Sequence, residues 1–313
     1  MTRLLFVHAH PDDETLTCGV TMAHHVDLGD EVHVLTATLG EEGEVIPPEL
    51  AHLEGATGDP LGPWRREELR EAMRRLGVDH HVLGEDPGAG VLSRYRDSGM
   101  AGMPGAQHPR AFARAPVAEA AALVAEHVRA LRPDVVVTYD PQGGYGHPDH
   151  IQTHRVTRAA LARLAALDDP AQPGRAFEIR TPLTWAQQDR AWVREHVVPG
   201  THGESARRRL VLPDADALNP VGVVDDDRVS HIVVSPDSTQ RQALALQAHA
   251  TQLVVYRTHA PSPTAGTPFF ALSNEVATRL PGREGFGRVD PGSWADVSRP
   301  SSSDAWSAGL VAE

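Results

Sequence analysis

The chain has one cysteine, Cys18, in 313 residues. That excludes an intrachain disulfide and any cysteine-built zinc site, and it fits a reducing cytoplasm. Basic residues are scarce, with 29 Lys and Arg against 42 Asp and Glu for a net charge of −13. A nucleic-acid surface would need clustered positive charge, so nucleic acid and anionic membrane surfaces are not expected partners. No run approaches the roughly 18 to 20 apolar residues of a membrane span. The short apolar stretch at the N-terminus runs directly into polar residues that carry chemistry, so it is not expected to be a cleaved secretory signal. No Gly-x-Ser-x-Gly, Walker A loop or strand-linked Gly-x-Gly-x-x-Gly appears, so neither a serine nucleophile nor a nucleotide cofactor is expected. Aromatic residues are only 5%. The core must therefore come from abundant Ala, Val and Leu, which suits a layered α/β protein.

The first half alternates short apolar runs with helical periodicity. Strands are expected at 4–7, 31–38, 78–83 and 134–139, and helices at 15–28, 64–76, 116–131 and 149–164, with Gly29 and Gly77 as C-terminal stops. Alternation of this kind implies a three-layer α/β fold: a mostly parallel sheet, Rossmann-like, with helices on both faces. Further on, 168–178 reads as a loop, 179–185 and 229–234 as strands and 236–250 as a helix. Three regions are expected: an α/β core over 1–165, a substrate-side portion over 166–280 packed on it, and an irregular tail over 281–313. The segment 84–115 is long and rich in Gly and Pro, as functional loops often are.

Two polar clusters follow apolar runs. His8-Ala9-His10-Pro11-Asp12-Asp13-Glu14 comes after 4–7, and Tyr145-Gly146-His147-Pro148-Asp149-His150 comes shortly after 135–137. In a parallel sheet, ligands bind beyond the carboxyl ends of the strands, so both clusters are expected on one edge. His10 and Asp13, three apart in a turn, can converge on one ion, and His150 can supply a third donor. Two His and one carboxylate with an open position is the pattern of catalytic zinc, and iron(II) accepts the same set. A carboxylate beside metal-activated water is a general base, which fits Asp12. His147 is expected as general acid or as the cation that stabilises an oxyanion, with Tyr145 as a hydrogen-bond donor to it. Asp149 is expected to orient His147 or His150 through the second ring nitrogen. The plainer alternative is that Asp12, Asp13 and Asp149 cap their helices. His8, His24-His25 and His80-His81 read as packing or surface residues, and Cys18 as a small core residue. Together the parts describe metal-assisted hydrolysis of an amide or ester.

The two motifs resemble the LmbE-like (PIG-L) zinc-dependent N-deacetylases, which remove acetyl groups from N-acetylglucosaminyl compounds. Longer matches at 39–45, 96–102, 138–146 and 248–252 resemble the branch that deacetylates N-acetylglucosaminyl-inositol in mycothiol biosynthesis. The resemblance covers 1–160 strongly and 230–280 in patches. It implies His10, Asp13 and His150 as zinc ligands, Asp12 as base, His147 as acid or oxyanion stabiliser, and Tyr145 as a mobile oxyanion donor. It also implies Arg65 and Asp97 as binders of sugar and inositol hydroxyls, and a small-molecule substrate of the N-acetylglucosaminyl-inositol type. The roles of His249 and Gln252 stay open. A related branch, the mycothiol S-conjugate amidases, carries a Lys in the first helix and Pro before its second His motif. Here 15–19 reads Thr-Leu-Thr-Cys-Gly, and Gly146 precedes His147.

Overall fold

The computed structural model describes residues 1–201, 209–258, 266–297, 307, 308 and 310. Its central sheet is built from β1 (Arg3–His8), β2 (Glu31–Thr36), β3 (Asp79–Val82), β4 (Val135–Thr138), β5 (Arg175–Ile179) and β6 (His231–Val234). A smaller sheet holds β7 (Leu253–Arg257), β8 (Pro268–Leu272) and β9 (Thr278–Arg279). Two more strands, β10 (Arg283–Val289) and β11 (Ser307–Ala308), rejoin the central sheet. The order across that sheet is β11-β6-β10-β5-β4-β1-β2-β3. Pairing is parallel from β5 to β3, while β10 runs antiparallel to both its neighbours.

Four helices lie against the central sheet, α1 (Asp13–Asp27), α2 (Leu61–Leu76), α3 (Val117–Leu131) and α4 (Pro148–Ala166), while α5 (Leu183–His196) packs on the smaller sheet and α6 (Ser238–Leu246) on α1 and α2. Strand alternation sends successive residues to opposite faces. Leu4 and Phe6 pack with Val20, Met22, Leu69 and Met73 of α1 and α2. Leu5 and Val7 pack with Val124, Val128, Val156 and Leu161 of α3 and α4. A large apolar side chain buried this completely contributes roughly 1.5–3 kcal/mol. Gly77 ends α2 at φ 79°, a left-handed conformation that favours glycine.

Sequence and structure part company in the second half. The strand expected over 179–185 is displaced: the strand is β5, and residues from Leu183 onward form α5. Glu178 and Arg180 disguised the strand. They pair with each other in the interior, and Glu178 also accepts from Trp294 Nε1 at 2.8 Å. The irregular tail over 281–313 is corrected as well, because β10 is a strand inside the central sheet. Its glycines hid it. A Cβ at Gly285 would lie 2.6 Å from the Arg180 carbonyl oxygen, and one at Gly287 would lie 2.3 Å from the Arg180 guanidinium. The rest of that expectation, 298–306, 309 and 311–313, falls outside the described residues. The sheet also continues across position 165, since β5, β6 and β10 extend it. Glu284 of β10 reaches α1, accepting from Val20 N at 2.9 Å and Thr21 N at 2.8 Å.

The chain lays down β1, β2 and β3 outward in one direction and returns with β4 on the other side of β1. The carboxyl ends of β1 and β4 therefore flank the point where strand order reverses, the natural ligand crevice of such a sheet.

Candidate metal centre

Both polar clusters meet at that crevice. His10 Nδ1 lies 3.3 Å from Asp13 Oδ2, His150 Nε2 lies 3.2 Å from the same oxygen, and the two ring nitrogens are 3.3 Å apart. Donors at about 2.0–2.1 Å from a tetrahedral ion are themselves about 3.3 Å apart. The proton positions agree. His150 Nδ1 faces the Gly143 carbonyl oxygen at 3.1 Å. A carbonyl only accepts, so Nδ1 carries the hydrogen and Nε2 presents a lone pair. His10 Nε2 faces Asp97 Oδ1 and Asp149 Oδ2, each at 3.3 Å, so its Nδ1 presents the lone pair. Three lone pairs thus converge, an arrangement that a cation relieves. Burial opposes charge on the His10 ring, yet the Asp97, Asp13 and Asp149 carboxylates raise its pKa well above the ordinary value. The donors present fit a divalent metal. A wider grouping brings His147 within 4.8 Å of the His10 and His150 donor atoms.

Asp13 is further fixed by the Tyr139 hydroxyl, which donates to Oδ2 at 2.7 Å, and by the His10 amide at 3.0 Å. Tyr139, at the end of β4, also stacks on His150 with ring centroids 4.3 Å apart and accepts from Ala9 N at 2.9 Å. Asp12 precedes α1 but makes no side-chain cap. It lines the cavity, and burial, reinforced by the Asp13 and Glu14 charges, pushes its carboxyl well up. His147 does cap α4: its Nδ1 accepts from Asp149 N at 3.2 Å. A neutral His147 therefore carries its hydrogen on Nε2. Burial, with His10 and His150 nearby, lowers its pKa to about 3. Tyr145 is 55% exposed at the rim, its ring centroid 5.0 Å from that of His150.

One expectation is corrected. The Asp149 carboxylate turns to neither His147 nor His150. It faces His10 Nε2 and accepts from Ser98 N at 2.8 Å and Ser98 Oγ at 2.6 Å. Asp149 sits in the first turn of α4, so its side chain points back across the crevice and not along the helix. Asp97 shares the same ring nitrogen while accepting from Gly99 N at 2.8 Å and Glu42 N at 3.1 Å. Arg65 is almost fully buried and donates to the Gly40 and Glu44 carbonyls and to Thr251 Oγ1, so three of its five N–H groups are engaged, two of them on the 40–44 loop. Sequence reasoning missed Tyr139, Ser98 and the Glu14–His249 contact at 3.3 Å. Only the Tyr139 position, at a strand end beside the second motif, offered a signal.

Asp12, Asp13, His10, Arg65, Asp97, Tyr145 and His147 all line one cavity of about 350 Å³, with Met100, Met103 and Leu272 on its wall. A larger cavity of about 680 Å³ lies beside the 90–95 and 109–116 segments and touches none of the three converging donors. Among the described residues, no helix is long and apolar enough to cross a membrane.

Residues 5–161 match a family model described as PIG-L, GlcNAc-PI de-N-acetylase. The chain is 43% identical to the 1D-myo-inositol 2-acetamido-2-deoxy-alpha-D-glucopyranoside deacetylase of Thermomonospora curvata, over 92% of this chain and 90% of that one. It is 48% identical to the enzyme of the same name from Streptomyces avermitilis, over 89% and 88%. Its backbone is similar to that of the N,N'-diacetylchitobiose deacetylase of Pyrococcus horikoshii, with a TM-score of 0.49 and 20% identity over 80% of this chain and 70% of that one. The family match and the relatives spanning nine-tenths of the chain establish that it belongs to the PIG-L family.

Proposed function

We propose that the chain hydrolyses the acetamide of 1D-myo-inositol 2-acetamido-2-deoxy-α-D-glucopyranoside to glucosaminyl-inositol and acetate. The observation that carries this is the 43–48% identity, over about nine-tenths of the chain, to proteins named for that reaction, together with donors that fit a divalent ion. His10, Asp13 and His150 hold the ion, for which zinc is the first choice and iron(II) the second. When bound, it supplies Lewis acidity toward an acyl oxygen and makes water acidic near neutral pH.

The chain's own residues do the rest. Asp12 takes the proton from the attacking water, and its raised pKa makes it a stronger base than an ordinary carboxylate. The neutral His147 directs Nε2–H, and Tyr145 its hydroxyl, at the oxyanion that forms. As the carbon–nitrogen bond breaks, protonated Asp12 returns its proton to the leaving amine, so atoms and charge balance. Asp97 and Asp149 hold the His10 ring by Nε2. The free N–H groups of Arg65 and the polar rim take the polyol hydroxyls.

The test is acetate release from N-acetylglucosaminyl-inositol, compared through kcat/KM with cleavage of a mycothiol S-conjugate amide. A higher value on the acetamide supports the reading, and a higher value on the conjugate overturns it.

A further inference from the structure

The Asp12 backbone stands at φ 106°, ψ −34°. A left-handed φ this large is unfavourable for a residue with a Cβ, and such strain persists only where surrounding structure enforces it. Rotating the Pro11–Asp12 peptide plane by half a turn would carry φ from 106° to about −74°, an ordinary value. Something must hold that plane.

Side chains grip both of its polar ends. Gln252 Nε2 donates to the Pro11 carbonyl oxygen at 2.7 Å, and the Asp12 N–H donates to Glu14 Oε2 at 3.1 Å. Glu14 is fully buried. Its other oxygen accepts from Thr15 Oγ1 at 2.7 Å and lies 3.3 Å from His249 Nε2, which is also fully buried. His249 and Gln252 belong to one loop, between α6 and β7, so both arms of the grip end on the same piece of chain. The Asp12 carboxylate has no hydrogen bond of its own among the described residues, so the backbone carries much of the work of fixing its direction.

We infer that Glu14 and Gln252 form a clamp on the Pro11–Asp12 peptide that holds Asp12 in its strained, reactive orientation, with His249 seating Glu14. Glu14 is a positioning residue. It does not line the cavity, its side chain meets Asp12 N, Thr15 Oγ1 and His249, and it acts through the Asp12 amide. This inference rests on the proposed role of Asp12 as base, but the clamp itself is a property of the fold that can be read without turnover.

The experiment compares wild type with E14A, E14Q and Q252M, all in the full chain. Amide hydrogen exchange at Asp12 reads the clamp directly. Slow exchange in wild type, faster exchange in E14A and recovery in E14Q, which keeps a carbonyl acceptor, are expected. Equal exchange at Asp12 in wild type and E14A overturns the clamp. In kinetics, E14A lowers kcat on the order of 10–100-fold, the scale of a misplaced catalytic group, with KM and bound metal unchanged, and E14Q restores most of it. Because Glu14 is fully buried, Q252M provides a second variant should E14A not fold; it deletes only the donor to Pro11 and lowers kcat by a smaller factor. A rise in KM alone for Q252M, or wild-type kcat in a folded E14A, overturns the inference. If wild type hydrolyses another acetamide sugar but not the inositol glycoside, the substrate reading fails while the clamp is scored on that other sugar.

Discussion

The turn 10–14 after β1 and the segment 143–150 after β4 face each other across the crevice, and they are held in different ways. The first contains no glycine, carries its strain at Asp12 and is buried throughout. The second spreads positive φ over Gly143, Gly144 and Gly146, at 65°, 74° and 93°, where it costs little. A Cβ at Gly143 would come within 2.5 Å of His150 Cβ, so that glycine lets the segment pass tightly over His150. Tyr145, between the glycines, faces solvent. On the proposed roles, the difference separates two tasks: the base and two metal donors would need one fixed geometry, whereas a donor to a developing oxyanion would sit on glycine-flanked backbone.

If that division is right, the largest losses come from the first turn. Asp13→Ala removes the oxygen shared by both histidines. Metal bound after dialysis, measured by elemental analysis, is expected to fall to a small fraction of wild type, with turnover falling in proportion. A fully loaded Asp13→Ala would break the assignment. Asp12→Asn comes next: kcat is expected to drop about 10²–10⁴-fold, the usual worth of a general base, with metal content unchanged. In wild type, kcat/KM should fall as pH drops through the raised Asp12 pKa, because only the ionised carboxylate accepts a proton. An unchanged acid limb in Asp12→Asn would reassign it. Smaller effects belong to the second segment. His147→Gln is expected to cost about 10²-fold, as for an oxyanion donor, and Tyr145→Phe about tenfold, the worth of one exposed hydrogen bond. A Tyr145→Phe loss equal to that of Asp12→Asn would erase the contrast between the two segments.

Much of this centre was legible because its information is local. His10, Asp12 and Asp13 fall within four residues, and strand runs before each motif place both on one sheet edge. What stayed hidden depends on contacts between distant segments. Asp97 comes from the irregular 84–115 segment, and nothing in its spacing connects it to His10. Asp149 has the right residue type at the right place, but sequence does not reveal which ring it faces. β10 was masked because its glycines answer to Arg180 packing across them, and β5 because its charges are satisfied internally. Residues 248–252 carried no chemistry that sequence alone could name, since His249 and Gln252 act on a turn some 240 positions earlier.

Glu284, the β10 side chain that reaches into α1, ties the seam between them to pH. Burial pushes its carboxyl up to about 7, although hydrogen bonds from Thr21 and Val20 oppose the shift. An unfolded glutamate titrates near 4.3. Between these values the folded chain keeps a proton that the unfolded chain releases, so the contribution of this group is fullest below about pH 4.3 and is lost as pH rises through about 7, a change on the order of 4 kcal/mol at most. In its proposed role as base, Asp12 would respond in the opposite sense, since only its ionised form accepts a proton. Measured from pH 5 to 8, the thermal midpoint of wild type relative to that of Glu284→Gln should therefore fall as pH rises; a difference that stays constant with pH would remove Glu284 from the account. The same rise in pH that would ionise Asp12 for its proposed work therefore withdraws the proton that suits Glu284 to its buried place between β10 and α1.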